Sequence, residues 1–553
     1  MAHKLPLYVF SALVPIGVFV YLSYAQAAPP TPQTFVLKTT QVDLNQAPPP
    51  GKGRAPINIS RHFANPALLG QVKANLAAEN KSSPTTKGSH GKPTPTPSST
   101  PTPTPSPAPI SQGVSNQVTF TSFDAMNLFD GGGYVPPDTI VAAGSNNAST
   151  LIFEAVNSLS TVYDTTGGSV ATLNTTACTT NSSTDSVSDP RVLFDSGRWF
   201  ISSTTFSPIG DASWNLLFSS GSDPNLSTWY CLIIPTSTIR NPDGSQGNFP
   251  DFPKIGINSN KVVLTGDAFS QVRSGYKFQG TEFVVINKSD LLSLSGTVNT
   301  SLFAPNQGDF AIEPAFQINS TADPLYMAAV NSALASTSSL AVWTIAGVPG
   351  DSSNPLQTPK VSTLPIDTIS YPPNAQQLGT TVLIDTNDDS LLDAFFREGS
   401  GSLWVSANDA CTPNGDTAAR SCLRFINISI STGGAMSVAQ DFDYADPGTY
   451  YYYPALRIDS TGNLYAAFSG SSGAKYPSAY AGMQSSGKTN VLTNLSVTRP
   501  GDYPYTVSPP RWGDYSGAAV DPDGASVWLG AEYATQFSIF GSIWGTAIAH
   551  VSP

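Results

Sequence analysis

The chain has 553 residues, of which 12% are charged, about half the proportion of roughly 25% found in average soluble proteins. Glycine (45 residues) and proline (47 residues) are abundant, which favours a turn-rich all-β protein and excludes long charged helices and coiled coils. Residues 1–112 carry a net charge of +7 and residues 113–553 a net charge of −19. We therefore expect the larger part to repel nucleic acid and anionic membranes.

The first 27 residues have the pattern of a secretory signal. Lys4 precedes an uncharged, mostly apolar run over 5–22, and Ala25-Gln26-Ala27 is a small-x-small cleavage sequence. We predict a signal peptide over 1–27 that is removed, and hence a secreted, extracellular or cell-surface protein. The alternative is a retained membrane anchor, because a run of this length is near the lower limit for spanning a bilayer.

The next two segments are predicted to add little to the folded core. Residues 28–80 form an N-terminal segment that is partly disordered, with one short helix over 66–80. Residues 81–112 form a Pro/Thr/Ser-rich linker, in which eight of the seventeen residues from 93 to 109 are proline. Such a composition favours extended polyproline II structure. The remaining residues, 113–553, are expected to fold independently of everything before them.

Residues 113–553 contain a unit that recurs seven times. Each copy has a proline or an acid, an alternating apolar strand, a turn with Asp, Asn or Gly, and a second apolar strand. The copies begin at Pro136, Ser188, Pro250, Glu313, Gly379, Tyr452 and Trp512. An average of about 63 residues per unit suits a blade of four antiparallel strands.

We predict an all-β fold, a β-propeller of seven blades. Six blades remain the alternative because the fifth copy is divergent. The sequence VTFTSF at 118–123 is the candidate strand that closes the ring.

Short sequences in these units also point to known proteins. They are PPDT at 136–139, EAVNSLSTVYD at 154–164, SDPRVLFDSGRWFIS at 188–202, DFPKIGI at 251–257 and WGDYSGAAVDP at 512–522. In these sequences and their order the chain resembles a group of uncharacterised secreted bacterial β-propeller proteins, and more loosely the propellers of sialidases. The resemblance implies a propeller fold and secretion, and it implies no reaction. No sialidase catalytic residue is carried over, because no motif here aligns with one.

The four cysteines all lie within the predicted propeller, and an even number in an exported chain indicates disulfides. Three pairings are open. Cys411 and Cys422 flank a loop-like insertion, so the predicted pairing is Cys411–Cys422, which leaves Cys178–Cys231.

The sequence allows two positions for the tryptophans and for one run of tyrosines, namely the buried core and the rim of the channel. Trp199, Trp404 and Trp528 lie in predicted strands and are expected in the core. The tyrosine run 450–453 and Trp512 precede predicted inner strands, so they pack in the core or contact ligand at the rim. Core packing is the preferred interpretation.

Histidine is almost absent after residue 112, where His550 is the only one. Histidine-dependent hydrolysis and zinc catalysis are therefore disfavoured, and no nucleotide-binding glycine motif is present. Carboxylates remain as the candidate functional groups.

Five units place an acid just before the first strand. These acids are Asp138, Asp189, Asp251, Glu313 and Asp514. In a propeller this position lies at one rim of the central channel. Six further residues are expected near the same rim, namely Arg191, Lys254, Tyr453, Arg457, Arg511 and Tyr515. The acids have three alternative roles: hydrogen bonds within their own turns, binding of an ion or ligand, or cleavage of a glycoside by an acid pair.

A second acidic stretch places Asp385, Asn387 and Asp389 at the spacing that opens a Ca²⁺ loop. Ser390 stands where that loop needs glycine, and Phe396 where it needs glutamate. The alternative is a hairpin turn between the strands VLI and LLDAFF. Ca²⁺ is the one cofactor that the sequence raises.

The preferred function is a non-catalytic binding module that recognises a glycan or a protein ligand at the channel rim, as a monomer outside the cell. The alternative is an extracellular carbohydrate-active enzyme, of the glycoside hydrolase or sialidase type, that uses rim carboxylates. No nucleic-acid partner is expected, and a membrane is contacted only through a retained N-terminal segment.

Overall fold

A computed structural model describes residues 31–45, 70–74, 77–78 and 118–553 of the chain. Within the last range it leaves out residues 147, 158, 180–184, 207–211, 273–274, 307, 318–319, 322, 331–333, 508–509 and 537–540. The predicted signal peptide and the predicted linker lie outside the described residues. Residues 70–74 and 77–78, within the range 66–80 for which a short helix was expected, are helical.

The described chain is an all-β protein, as the sequence predicts. Its strands in chain order are β1 (Gln33–Val42), β2 (Thr119–Asn127), β3 (Ile140–Ser145), β4 (Thr150–Val156), β5 (Leu159–Tyr163), β6 (Ser169–Leu173), β7 (Ser186–Asp195), β8 (Arg198–Phe206), β9 (Ala212–Ser219), β10 (Trp229–Pro235), β11 (Phe249–Ile257), β12 (Lys261–Val272), β13 (Gly275–Asn287), β14 (Thr297–Asn306), β15 (Glu313–Pro314), β16 (Leu325–Val330), β17 (Ser336–Ile345), β18 (Lys360–Ser370), β19 (Leu391–Arg397), β20 (Ser402–Cys411), β21 (Arg420–Ile430), β22 (Met436–Tyr444), β23 (Tyr450–Ile458), β24 (Leu464–Ser472), β25 (Lys475–Gln484), β26 (Thr493–Arg499), β27 (Gly517–Val520), β28 (Val527–Gln536) and β29 (Ser542–Ser552). The short helices are Lys288–Ser293 and the 3₁₀ turns Thr175–Ala177 and Glu398–Ser400.

The strands pair as sets of four, each antiparallel and in chain order. Five sets are separate four-stranded sheets: β3–β6, β15–β18, β19–β22, β23–β26, and a sheet in which β2 follows β27, β28 and β29. The other two sets, β7–β10 and β11–β14, belong to one nine-stranded sheet because β1 joins their outer strands. The strand VTFTSF thus pairs with the last strand, β29, as the sequence predicts.

The first strands of consecutive sets contact one another. Phe316 forms parallel bridges with Ile257 of β11 and with Phe395 of β19. At the ends of the series β27 contacts β3, so the last set packs against the first. The sheets bury both faces: every residue of β24 is buried, as is every residue of β23. Both faces of these strands therefore pack against other parts of the protein.

All eight tryptophans are buried, including Trp199, Trp404 and Trp528, so the prediction of core packing is confirmed. Trp512 and the tyrosine run 450–453 are also buried, at 0–1% exposure. The aromatic rings for which the sequence allowed either a rim or a core position therefore pack in the core. Trp512 donates a hydrogen bond from Nε1 to Ser469 Oγ (3.1 Å).

The N-terminal strand β1 is an element that the sequence did not predict. Its residues Gln33–Lys38 pair with β14, and Thr39–Val42 pair with β10. Leu44, directly after it, is 1% exposed and packs in the core beside the first and second sets. The expectation that nothing before residue 113 contributes to the fold is therefore wrong for residues 33–44.

The fifth set also differs from its predicted form. The sequence predicts VLI (382–384) as the first strand of this set. In the structure the first strand is β19, Leu391–Arg397. Ile384 forms only an isolated bridge with Ala375. Residues 385–389 are therefore not a hairpin turn between two strands of the set but the connection that leads into its first strand.

Both predicted disulfides are present, Cys178–Cys231 and Cys411–Cys422. The first joins the end of the β3–β6 set to β10, and the second closes the turn between β20 and β21. No helix among the described residues is long and apolar enough to span a bilayer. Disulfides are typical of proteins that are exported from the cytoplasm.

Candidate functional site

Three first strands contain a residue with left-handed backbone at a break in the register of pairing. Asp189, Phe252 and Tyr453 have φ of 54°, 51° and 59°, and each directly precedes a proline. Positive φ is unfavourable for residues other than glycine and persists only where the surrounding structure enforces it. These backbone conformations were not predicted from the sequence.

Side chains from the preceding set hold these strained residues in place. Asn157 Oδ1 accepts a hydrogen bond from Asp189 N (2.7 Å), and Asn408 Oδ1 accepts one from Tyr453 N (2.7 Å). Asp267 Oδ1 accepts in the same way from Ala311 N (2.9 Å), where φ is 49°. Asp189, Ala311 and Tyr453 are therefore each held by a side chain of the preceding set.

Four of the predicted acids meet in one group, which we call the acidic cluster: Asp138, Asp189, Asp251 and Asp514. Asp514 N donates to Asp138 Oδ1 (2.7 Å), and Arg511 Nη2 lies 3.0 Å from Asp514 Oδ2. Burial, together with the charge of Asp514, raises the pKa of Asp138 to about 6. Burial and the charges of the other three acids raise the pKa of Asp189 well above its ordinary value.

Arg191 and Lys254 lie beside this cluster with aromatic rings around them. The guanidinium of Arg191 is 3.5 Å from the ring centroid of Tyr515 and 5.7 Å from that of Phe252. Arg191 Nη2 is buried and has no hydrogen-bond partner among the described residues. Lys254 Nζ lies 3.1 Å from Glu313 Oε2 and 4.4 Å from the ring centroid of Phe252. Phe252 is a member of this group that the sequence analysis missed.

Two other predicted residues, Arg457 and Tyr453, contact residues outside the acidic cluster. Arg457 Nη1 lies 2.6 Å from Asp393 Oδ2, and its guanidinium is 5.6 Å from the rings of both Phe316 and Phe395. Tyr453 donates from its hydroxyl to Asp385 O (2.9 Å). These contacts are to Asp393, Phe316, Phe395 and Asp385, and none of these four residues belongs to the acidic cluster.

The second acidic stretch forms turns. Asp385 Oδ1 accepts from Asn387 N (3.1 Å), and Asp388 Oδ1 accepts from Ser390 N (2.9 Å). Asn387 itself has a φ of 56°. Among the described residues, no group of three or more His, Cys, Asp or Glu side chains has the geometry of a metal site. The hydrogen bonds of Asp385 with Asn387 and of Asp388 with Ser390 are those of turns.

Three further buried carboxyls lie in second and third strands and were missed by the sequence analysis. Burial raises the pKa of Glu154 and of Asp267 to about 7 and that of Glu282 to about 8. Glu282 Oε2 accepts a hydrogen bond from Asn248 Nδ2 (2.8 Å). Their signal in the sequence is an acid inside an otherwise apolar strand, as in LIFEAV and EFVVIN.

Because the pKa values of these buried carboxyls are raised, we expect the protein to lose stability as the pH rises. Their pKa values in the folded protein exceed the ordinary values of 3.8 and 4.5, so folding favours the protonated forms. The stabilisation is complete below about pH 4. It is lost as the pH rises through the pKa values that these carboxyls have in the folded protein. Thermal melting between pH 5 and pH 8.5 should show a falling melting temperature. Glu282→Gln should reduce this fall and raise the melting temperature at pH 8.5.

A surface substitution provides the control for loss of charge alone. Glu398→Gln changes a carboxylate in an exposed turn, where it accepts from Thr321 Oγ1 (2.7 Å). If Glu282→Gln and Glu398→Gln change the pH profile equally, Glu282 does not contribute as proposed.

No protein-family model matches the chain, and no curated relative matches its sequence. Distant structural neighbours exist. A protein of unknown function from Dyadobacter fermentans is 12% identical, with a TM-score of 0.32 over 66% of this chain and 94% of that chain. The sialidase of Trypanosoma rangeli in complex with the inhibitor DANA is 11% identical, with a TM-score of 0.30 over 71% of this chain and 58% of that chain.

The third neighbour is the WD40 domain of SCAP from fission yeast. It is 9% identical, with a TM-score of 0.31 over 73% of this chain and 81% of that chain. The expected resemblance to propeller proteins, including sialidases, is thus confirmed as a distant one. All three TM-scores are near 0.3, so the description of the fold rests on the strand pairing and not on these neighbours.

Proposed function

We propose that this protein is an exported seven-bladed β-propeller that binds a glycan or a protein ligand at the channel rim without catalysing a reaction. The seven sets of four strands support the blade count, and the contact of β27 with β3 supports a closed ring. The two disulfides support export. The signal peptide and linker predicted from the sequence support a position outside the cell, with the linker as a spacer between this domain and a surface.

The observation that carries the binding proposal is the environment of Arg191. Its guanidinium is held over Tyr515, and its Nε donates to Pro253 O (3.4 Å). Its Nη2 has no partner among the described residues. A buried donor without a partner costs free energy, on the order of 1–3 kcal/mol. A ligand oxygen that accepted from Nη2 would recover that cost.

One observation favours the enzyme as second candidate. Asp138 has a pKa of about 6 beside Asp514 and Asp189, and a carboxyl that keeps its proton near neutral pH is suited to act as a general acid. However, both oxygens of Asp138 accept hydrogen bonds within the protein, from Asn157 Nδ2 (2.6 Å) and Asp514 N (2.7 Å). These contacts favour a structural role for Asp138 over catalysis.

A glycan array, a panel of extracellular proteins and assays for glycan cleavage test this proposal on the full chain. We expect binding without product release, and we expect Arg191→Gln to weaken that binding at least tenfold. Lys360→Gln, which removes an exposed positive charge from β18, should bind as the unaltered protein does. Melting curves show whether Arg191→Gln is folded.

Product release that is abolished by Asp138→Asn would overturn the binding proposal in favour of the enzyme. Binding that is unaffected by Arg191→Gln in a folded variant would show that the ligand does not use this rim.

A further inference from the structure

A cleft lies between the second and third sets of strands, outside the residues that the sequence analysis selected. Its volume is about 290 Å³, which is near the lower end of the range of about 300–1,000 Å³ for small-molecule sites. Three of its aromatic rings contact one another. The ring centroids of Phe206 and Phe249 are 5.4 Å apart, those of Phe206 and Tyr276 6.2 Å, and those of Phe249 and Tyr276 6.3 Å.

The cleft lies at the same end of the third set as the acidic cluster. Phe249 begins β11 and is two residues before Asp251, and it pairs with Phe269 at the far end of β12. The charge of Asp251 also acts on Tyr276. A ligand long enough to extend from the rim would therefore reach this cleft.

A polar group in the wall of the cleft has an unmet hydrogen bond. Asn248 is 5% exposed, and its Nδ2 donates to Glu282 Oε2 (2.8 Å). This contact fixes the orientation of the amide and leaves Oδ1 as an acceptor. Asn248 Oδ1 is buried and has no partner in the part of the chain that the structure describes. A hydroxyl group on a ligand would supply the missing donor.

The lining residues carry no charge, since they are aromatic, amide, hydroxyl or small side chains. An anionic ligand would find no cation in the cleft and would be repelled by the nearby acidic cluster. The combination of aromatic rings, amide groups and absence of charge suits a neutral ring that has apolar C–H faces and hydroxyl groups at its edge.

We infer that this cleft is a subsite for one or two units of a neutral glycan. A sugar ring packs its apolar face on Tyr276 and Phe249, and one of its hydroxyls donates to Asn248 Oδ1. The inference rests on the proposed function and narrows it, because it names neutral carbohydrate as the ligand class and adds a second place of contact.

Isothermal titration calorimetry of the full chain tests the subsite. The probes are hexasaccharides of glucose, xylose, mannose and N-acetylglucosamine, with oligogalacturonate as the acidic comparison. We expect at least one neutral hexasaccharide to bind and oligogalacturonate not to bind. Tyr276→Ala should weaken that binding at least tenfold, whereas Tyr276→Phe, which keeps the ring, should change it less than threefold. Phe129→Ala, at an aromatic residue 43% exposed outside the cleft, is the matched control.

The outcomes separate this inference from the proposed function. If Arg191→Gln abolishes binding and Tyr276→Ala leaves it unchanged, the rim binds ligand and the cleft is not a subsite. If Tyr276→Ala abolishes binding and Arg191→Gln does not, the subsite holds and the proposed rim contact is wrong. Failure of every neutral hexasaccharide to bind, or preferential binding of oligogalacturonate, overturns the inference.

Discussion

Removal of residues 31–45 is expected to lower the free energy of unfolding by several kcal/mol. Strand β1 pairs with the outer edges of two sets, four residues with β10 and six with β14. Without β1 both edges are exposed, and unpaired edges promote aggregation. The strand itself is mostly exposed, so much of the burial comes from Leu44. Leu44→Ala alone should cost about 2–5 kcal/mol.

Urea denaturation of three proteins measures this effect: a chain that begins at residue 31, a chain that begins at residue 46, and Leu44→Ala in the first. The chain that begins at residue 31 is the control, since it lacks only residues before β1. Equal midpoints for the two truncations would contradict the role of β1 and restore the expectation that the domain folds without its N-terminal segment.

Lys254→Met should cost about 3–5 kcal/mol, the amount typical of breaking a buried ion pair. Lys254 is 1% exposed, and its ammonium group joins three sets of strands. It lies 3.1 Å from Glu313 Oε2 and donates to Ala311 O (3.0 Å) and Leu391 O (2.9 Å). Methionine fills similar space but leaves Glu313 buried without its cation.

The matched control is Lys277→Met, because Lys277 pairs with Asp243 while half of its side chain is exposed. That substitution should cost less than about 1 kcal/mol. The double variant Lys254→Met/Glu313→Gln should recover part of the loss, since it removes the unpaired carboxylate. A loss for Lys254→Met no larger than that for Lys277→Met, measured by urea denaturation at pH 8, would show that the buried ion pair contributes little.

The repeated strand pattern was sufficient to predict the all-β fold and the partner of the closing strand. Local information also sufficed for the disulfides, because Cys411 and Cys422 flank one turn between adjacent strands. Strand β1 could not be predicted in this way. Its sequence, QTFVLKTTQV, resembles many exposed segments, and its partners in β10 and β14 lie roughly 190 to 270 residues further along the chain.

The candidate site was predicted only in part. The repeated pattern selected Asp138, Asp189, Asp251 and Asp514 by their shared position in the unit, and in the structure the charges of the other three act on Asp189. The sequence could not show that their partners are other side chains of the protein, such as Asn157 and Arg511. Nor could it reveal the cleft beside Phe206 and Tyr276, because its walls come from two different sets of strands.

The pairing of β2 with β29 has a consequence for how the protein is made. Met126 N donates to Thr546 Oγ1 (3.0 Å) across a sequence separation of 420 residues, so β2 waits for its partner until nearly all of the other strands have been synthesised. Contacts of such long range slow folding. Until β29 is available, the edge of β2 has no partner from the last set, and unpaired edges of this kind favour aggregation. A nascent chain that stalls before residue 542 would become a substrate for proteases instead of a partly working protein.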